Sequence, residues 1–282
     1  MTTESIRSIA EVADHYDAYL IDLWGVMHDG STLYAGADAA LAHLRAKNKS
    51  VIFLSNAPRK ASRAIKVLSR LGIDPHQYDH MVTSGQTAHD RLKVSDHYGS
   101  RYYYLGPGKD EDVLDGLDYD AVKDPKDADF ILNAGFEYDY QPEADIEPVL
   151  ERLAALELPL LCINPDMEVV KQDGTRLLCA GWVAARYEVL GGLVDYIGKP
   201  HRAIYDHCLS LLGNPAKSGV LAIGDNLLTD ITGANRMGID SLLIKGGIMA
   251  SEHGTLPDTA QLEKSYLQSA ATPTFVADRF TI

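Results

Sequence analysis

Five side chains able to do chemistry stand at the ends of apolar runs or in glycine-containing turns. The run Ala18 to Leu23 carries Asp22 near its end, inside the stretch IDLWGVMHDG from Ile21 to Gly30. Val51 to Leu54 ends in Ser55-Asn56, Lys199 stands in Gly198-Lys199-Pro200, and GDNLLTD supplies Asp225 and Asp230. Singly, such residues are commonly helix caps that satisfy free backbone N–H groups, or surface turns. Together they are the parts that phosphoryl transfer requires: a nucleophile, a cation to neutralise spreading negative charge, and donors for the transferred oxygens. Asp22 would supply the nucleophile and form an aspartyl phosphate. Asp22 and Asp225, at the tips of neighbouring strands, would share one Mg²⁺, an ion that takes oxygen ligands. Ser55 and Lys199 would hold the phosphoryl oxygens.

The elements that must position these residues follow from periodicity. Buried strands alternate with amphipathic helices, the signature of a doubly wound parallel α/β sheet. A helix is predicted around Asp38 to Lys47, then the strand Val51 to Leu54. A second helix is predicted with Pro58 at its first position, Ala61, Ala64, Ile65, Leu68 and Leu71 on its apolar face, and Gly72 at its end. From about Met81 the composition shifts. RYYYL (Arg101 to Leu105) reads as a strand, the acid-rich run Lys109 to Asp129 as a solvated surface, and Ile146, Val149, Leu150, Leu153 and Leu156 mark a helix. Leu158 to Ile163 is a strand ending in Asn164-Pro165-Asp166. This block has its own α/β pattern and is read as an inserted cap domain, residues 80–194, within a core of residues 1–79 and 195–282. The core pattern resumes with a helix carrying Ile204, Cys208 and Leu211 on one face, the strand Gly219 to Ile223, a helix through about Met237, and strands at Ser241 to Ile244 and Thr274 to Ala277.

Composition excludes several function classes. The 282 residues, 46% hydrophobic, suffice for a sizeable core. The net charge of −14 argues against nucleic acid, which demands clustered Lys and Arg. Three widely spaced cysteines suggest neither a disulfide framework nor a zinc module. No export signal and no apolar run long enough for a membrane span is found, so the expectation is a cytoplasmic protein. No Walker loop, HExxH or GxGxxG is present.

At Asp22 with Gly25-Val26, Ser55-Asn56, Gly198-Lys199-Pro200 and GDNLLTDITGA (Gly224 to Ala234), the chain resembles the haloacid dehalogenase superfamily of phosphohydrolases, in its subclass with a large α/β cap inserted between the second and third motifs. The resemblance spans the whole chain. It implies a Mg²⁺-dependent phosphatase of a small phosphorylated metabolite, such as a sugar phosphate or nucleotide. Asp22 becomes the nucleophile, Ser55 and Lys199 the phosphate holders, and Asp22, the Trp24 backbone carbonyl and Asp225 the metal ligands, with Asn226 and Asp230 supporting them. Trp24, Gly25, Asn56 and the cap residues Asn164 and Asp166 fall at substrate-facing positions. A homodimer through the cap is compatible with this reading.

Trp24 departs from the family pattern. The residue two after the nucleophile is a second Asp in family phosphatases, where it protonates the leaving oxygen and then activates water. Trp24 can do neither, and general acid–base catalysis typically contributes about 10²–10⁴-fold, roughly 3 to 5 kcal/mol of barrier. Three readings stay open. His28 or Asp29 substitutes as the acid, His28 having an unperturbed pKa of about 6.5. Alternatively, only good leaving groups such as acyl phosphates are processed, or the phospho-enzyme is long-lived. In the third, the chain is a phospho-ligand binding or regulatory protein.

Overall fold

The apolar runs become strands buried on both faces, as parallel sheets require, and the computed structural model describes residues 3–95, 97–171 and 173–282. The first part of the chain holds β1 (Glu4–Ser5), β2 (Ala18–Ile21), α1 (Ala37–Ala46), β3 (Ser50–Ser55), α2 (Ala61–Arg70), β4 (His80–Thr83) and α3 (Ser84–Lys93). There follow β5 (Arg101–Leu105), β6 (Asp120–Val122), β7 (Phe130–Asn133), α4 (Glu143–Ala154), β8 (Leu160–Cys162), β9 (Glu168–Val170), β10 (Arg176–Leu178), α5 (Ala180–Val189) and β11 (Val194–Tyr196). The last part holds α6 (Arg202–Leu211), β12 (Val220–Gly224), α7 (Thr232–Met237), β13 (Asp240–Ile244), α8 (Ile248–His253), α9 (Thr259–Ser269) and β14 (Phe275–Ala277).

Seven strands form a parallel sheet in the order β1-β14-β13-β12-β2-β3-β4. The chain winds outward in one direction from β2 and in the other from β12, so these neighbours flank the topological switch point where open α/β sheets bind ligands. Their register pairs Ile21 with Ile223, which sets Asp22 and Asp225 just beyond adjacent strand ends. Apolar clusters cover both faces: Leu41, Leu44 and Phe53 belong to one, Ile204, Cys208 and Met237 to the other.

The cap is a second parallel sheet, β11-β8-β7-β5-β6. One of its faces is covered by α4 and α5 through Leu150, Leu153, Val183 and Tyr187. The other packs Ala88 and Leu92 of α3 against Tyr102 and Phe130. From the cap the antiparallel hairpin β9-β10 reaches back, and Val170 is buried among Leu227, Ile231 and Ile248 of the core. A Val side chain removed from water contributes about 1.5–3 kcal/mol, so the hairpin is docked rather than resting on the surface.

Several expectations change. The boundaries at 79/80 and 194/195 move, because β4 pairs with β3 in the large sheet while β11 pairs with β8 in the cap sheet. Helix α2 begins at Ala61, not Pro58. Ala57 O accepts the Gly85 N–H at 3.1 Å and Arg59 O accepts the Thr83 hydroxyl at 2.6 Å, which holds residues 57–60 out of the helix and against the start of α3. On α6 the buried face carries Tyr205, while Leu211 at the helix end is 38% exposed. The acid-rich run is not a uniformly solvated surface either: Asp110 is 2% exposed and its carboxylate lies 3.2 Å from Arg59 Nε, and Asp112 pairs with Arg63 at 2.9 Å. These contacts tie the cap to α2 and to the segment leading into it.

Candidate active site

Asp22 follows β2, and its backbone N–H donates to Ile223 O at 2.9 Å, so sheet pairing itself fixes the residue. Its Oδ1 accepts from Lys199 Nζ at 2.5 Å. The same ammonium donates to Asp230 Oδ1 at 2.7 Å and to Leu54 O at 3.0 Å, so its three protons are all placed. Lys199 thus pairs with and orients the Asp22 carboxylate, a more direct task than the phosphate-holding expected of it. Carboxylate oxygens of Asp22, Asp225 and Asp230 lie within 4.8 Å of one another. Burial pushes the Asp22 and Asp225 carboxyls up, and in each case neighbouring carboxylates add to it. Burial would lower Lys199, but Asp22 and Asp230 outweigh it and hold its pKa above the usual range.

Three buried carboxyl groups against one ammonium leave excess negative charge in a low-dielectric site, and a divalent cation is the chemistry that fits. The surrounding backbone approaches so closely that side chains are excluded. A Cβ on Gly25 or Gly247 would fall 1.9 or 2.0 Å from Asp225 Oδ2, and one on Gly224 would fall 2.0 Å from Asp230 Cγ. Asp225 Oδ2 also accepts the Ile248 N–H at 2.9 Å. The role of Gly247-Ile248 was not read from the sequence; a Gly-Gly pair just past the strand Ser241 to Ile244 was its signal.

The remaining expected residues divide by what already engages them. Ser55 Oγ accepts the Ala57 N–H at 3.2 Å, which leaves its proton available at the cavity. Asn56 is fully engaged, accepting Lys199 N–H at 2.7 Å and donating to Asp166 Oδ1 at 2.8 Å and Lys199 O at 3.1 Å. It is a bracket between core and cap rather than a free substrate ligand. Gly25 N–H is likewise taken, by His28 O at 3.0 Å. Asn226 accepts Leu228 N–H at 2.8 Å and donates its own N–H to Asp230 Oδ2 at 3.2 Å, holding the turn behind the carboxylates. In the cap, Asn164 Oδ1 accepts the Asp166 N–H at 3.1 Å. Enclosure pushes the Asp166 carboxyl up to about 6, against the pull of Lys199 and Asn56.

Trp24 directs its indole toward the cap, Nε1 donating to Val170 O at 2.7 Å. The ring lies over Gly30, where a Cβ would sit 2.7 Å from Cζ3, and meets the His28 ring edge-on at 6.0 Å. His28 Nδ1 accepts the Gly30 N–H at 2.8 Å, so the ring proton is on Nε2, and burial pushes the pKa down to about 4. A neutral imidazole of that basicity is a poor proton donor to an alkoxide, which sets the geometry against the acid role expected of His28. Asp29 is turned to the Ser31 and Thr32 N–H groups at 2.9 and 2.8 Å.

Two adjoining spaces result. The inner one, about 30 Å³, is bounded by Asp22, Ser55, Asp166, Lys199, Asp225 and Asp230. The outer cleft between core and cap, about 670 Å³, has Arg59, Phe136, Tyr138, Tyr140, Lys171 and Leu178 among its walls. Trp24 and Asp166 border both.

A solved hydrolase of the haloacid dehalogenase-like family from Brucella suis 1330 superposes with a TM-score of 0.85 at 33% identity, covering 98% of this chain and 100% of that one. The family model for haloacid dehalogenase-like hydrolases matches residues 19–120, and a second, HAD-hydrolase-like, matches residues 196–281. The chain belongs to the haloacid dehalogenase-like hydrolase family. Among curated relatives of this family, an acid sugar phosphatase of Staphylococcus epidermidis is 27% identical over 241 residues, 84% of this chain and 90% of that protein. The human phospholysine phosphohistidine inorganic pyrophosphate phosphatase is 27% identical over 237 residues, 81% of this chain and 82% of its own. Among the described residues no helix is long and apolar enough to cross a membrane.

Proposed function

We propose that the protein is a Mg²⁺-dependent phosphomonoester hydrolase that acts on a small phosphorylated metabolite through an aspartyl phosphate on Asp22. The observation that carries this reading is the Asp22–Lys199–Asp230 ion-paired chain beside Asp225, closed off at the base of a cleft large enough for a metabolite. Relatives named as an acid sugar phosphatase and as a phospholysine phosphohistidine inorganic pyrophosphate phosphatase support phosphate hydrolysis as the reaction class.

Asp22, the Trp24 backbone carbonyl and Asp225 would hold the cation, with Asp230 and Asn226 behind them. When bound, Mg²⁺ supplies charge neutralisation to the transferred phosphoryl group. Lys199 keeps one Asp22 oxygen fixed, which leaves the other to attack phosphorus in line. Ser55 offers its hydroxyl proton to a phosphoryl oxygen. Asn56, linked to Lys199 and Asp166 at once, keeps the cap loop in register with the nucleophile. The retained carboxylate set favours turnover over the binding-protein reading, which gives no reason for a nucleophile ion-paired in this way.

The deciding experiment is Mg²⁺-dependent phosphate release from a panel of sugar, nucleotide and 4-nitrophenyl phosphates. Release is expected from wild type and, with the nucleophile gone, a fall of at least about 10⁴-fold in Asp22→Asn. Equal release by both proteins would exclude Asp22 as nucleophile.

A further inference from the structure

With Trp24 in place of an acid, a carboxyl group must still reach the leaving oxygen or alkyl phosphates will not be cleaved. Two cap carboxyls stand beside the inner space outside the three clustered core carboxylates: Glu168 is ion-paired with Arg176, whereas Asp166 borders both compartments. Its Oδ1 is engaged by Asn56 Nδ2 at 2.8 Å, while among the described residues no donor reaches Oδ2. Its backbone is held on both sides, the N–H by Asn164 Oδ1 at 3.1 Å and the carbonyl by the Gly181 N–H at 3.0 Å. Gly181 is close enough that a Cβ would lie 2.3 Å from Pro165 O, so the turn has no slack. The competing groups are turned elsewhere: the Trp24 indole to Val170 O, Asp29 to its own turn, and His28 held as a neutral ring. The charged groups facing Asp166 from the core are Lys199, Asp22 and Asp230, and Cys179 adjoins it in the cap.

We propose that Asp166 is the proton donor to the leaving oxygen and then the base that activates water, replacing the carboxylate absent at position 24; this rests on the hydrolase reading above. In the first step an Asp22 oxygen bonds to phosphorus, the bond from phosphorus to the leaving oxygen breaks, and the proton on Asp166 Oδ2 passes to that oxygen. In the second, the Asp166 carboxylate takes a proton from water as the water oxygen attacks phosphorus. The bond to Asp22 breaks, phosphate departs, and Asp166 is again protonated. A carboxyl held near neutrality by its enclosure suits both steps.

The test measures wild type, Asp166→Asn and His28→Ala with Mg²⁺ on phosphomonoesters graded from alkyl to 4-nitrophenyl. For Asp166→Asn, kcat on alkyl esters is expected to fall about 10²–10⁴-fold, the magnitude of a lost general acid. With 4-nitrophenyl phosphate the same variant should release one nitrophenol per site in a burst and then slow, because the phospho-enzyme no longer meets activated water. Adding Trp24→Asp to Asp166→Asn should restore alkyl turnover. An Asp166→Asn protein that shows no burst, and whose loss is the same for every leaving group or confined to KM, overturns the proposal. So does a burst that appears in His28→Ala instead, or a wild type whose rate already tracks leaving-group acidity steeply. Asp166→Ser, whose hydroxyl can still accept from Asn56, carries the same readouts if the Asn variant does not fold. Wild type that releases phosphate from no ester removes the hydrolase reading itself, a different outcome from any of these.

Discussion

The inner and outer compartments are built on opposite principles. In the inner one, Lys199 is 3% exposed and saturated with acceptors, and glycines at 25, 224 and 247 leave no room for a side-chain atom. In the outer cleft, Tyr138 and Tyr140 are 51% and 64% exposed, and Lys171 Nζ stands 5.8 Å from the Tyr140 ring centre. Asp22, Ser55 and Asp225 sit at strand ends of the seven-stranded sheet, and Lys199, Asp230 and Asp166 are hydrogen-bonded into that frame, whereas Tyr138, Tyr140 and Lys171 sit on a cap loop and a hairpin. Positions that must be accurate to a fraction of an ångström are placed on rigid elements, and those that meet the variable part of a ligand are placed where side chains can adjust.

This contrast can be broken first at Lys199. Lys199→Met leaves the Asp22 and Asp230 carboxylates buried without their cation, and the metal-free fold should lose about 3–5 kcal/mol in a denaturant titration. A loss below about 1 kcal/mol would mean that the inner charges are not mutually dependent.

A second test uses pH. Burial raises Asp22 to about 7 and raises Asp225 as well. A carboxyl whose folded pKa exceeds its unfolded value stabilises the fold at low pH, and that stabilisation is lost as pH rises through the folded pKa. His28, depressed to about 4, works in the opposite sense, and its contribution is complete above about 6.5. From about pH 6.5 to 8 the carboxyls therefore govern. EDTA-treated protein should melt at a lower temperature at the upper end of that window, and saturating Mg²⁺ should remove most of the difference. A metal-free melting temperature that rises with pH there would contradict the charge excess.

The smallest effect concerns the partition between the compartments. Trp24→Phe keeps the ring over Gly30 but leaves Val170 O without its donor, at a cost of about 1–3 kcal/mol measured in the same titration. If the variant is as stable as wild type, the indole is a wall and not a cap anchor.

The core was legible because its strands are continuous apolar runs: Ser50–Ser55 and Val220–Gly224 lie within a residue of where hydrophobicity places them. The cap strand Arg101–Leu105 was equally plain. Less legible were the start of α2, where tertiary hydrogen bonds from Thr83 and Gly85 override the helix-starting preference of Pro58, and the acid-rich run, whose charge gave no hint that Asp110 would be buried against Arg59.

Residue types and strand ends were enough to group Asp22, Ser55, Lys199, Asp225 and Asp230 in one site, and the resemblance to the family marked position 24 as lacking the usual acid. Only tertiary structure decided who meets whom. Lys199 reaches Asp22 across 177 residues, the Trp24 indole finds Val170 across 146, and Asn56 holds Asp166 across 110. Local periodicity records which face of an element is buried, but not which distant element covers it, because that choice is made by the packing of whole sheets and their insertions.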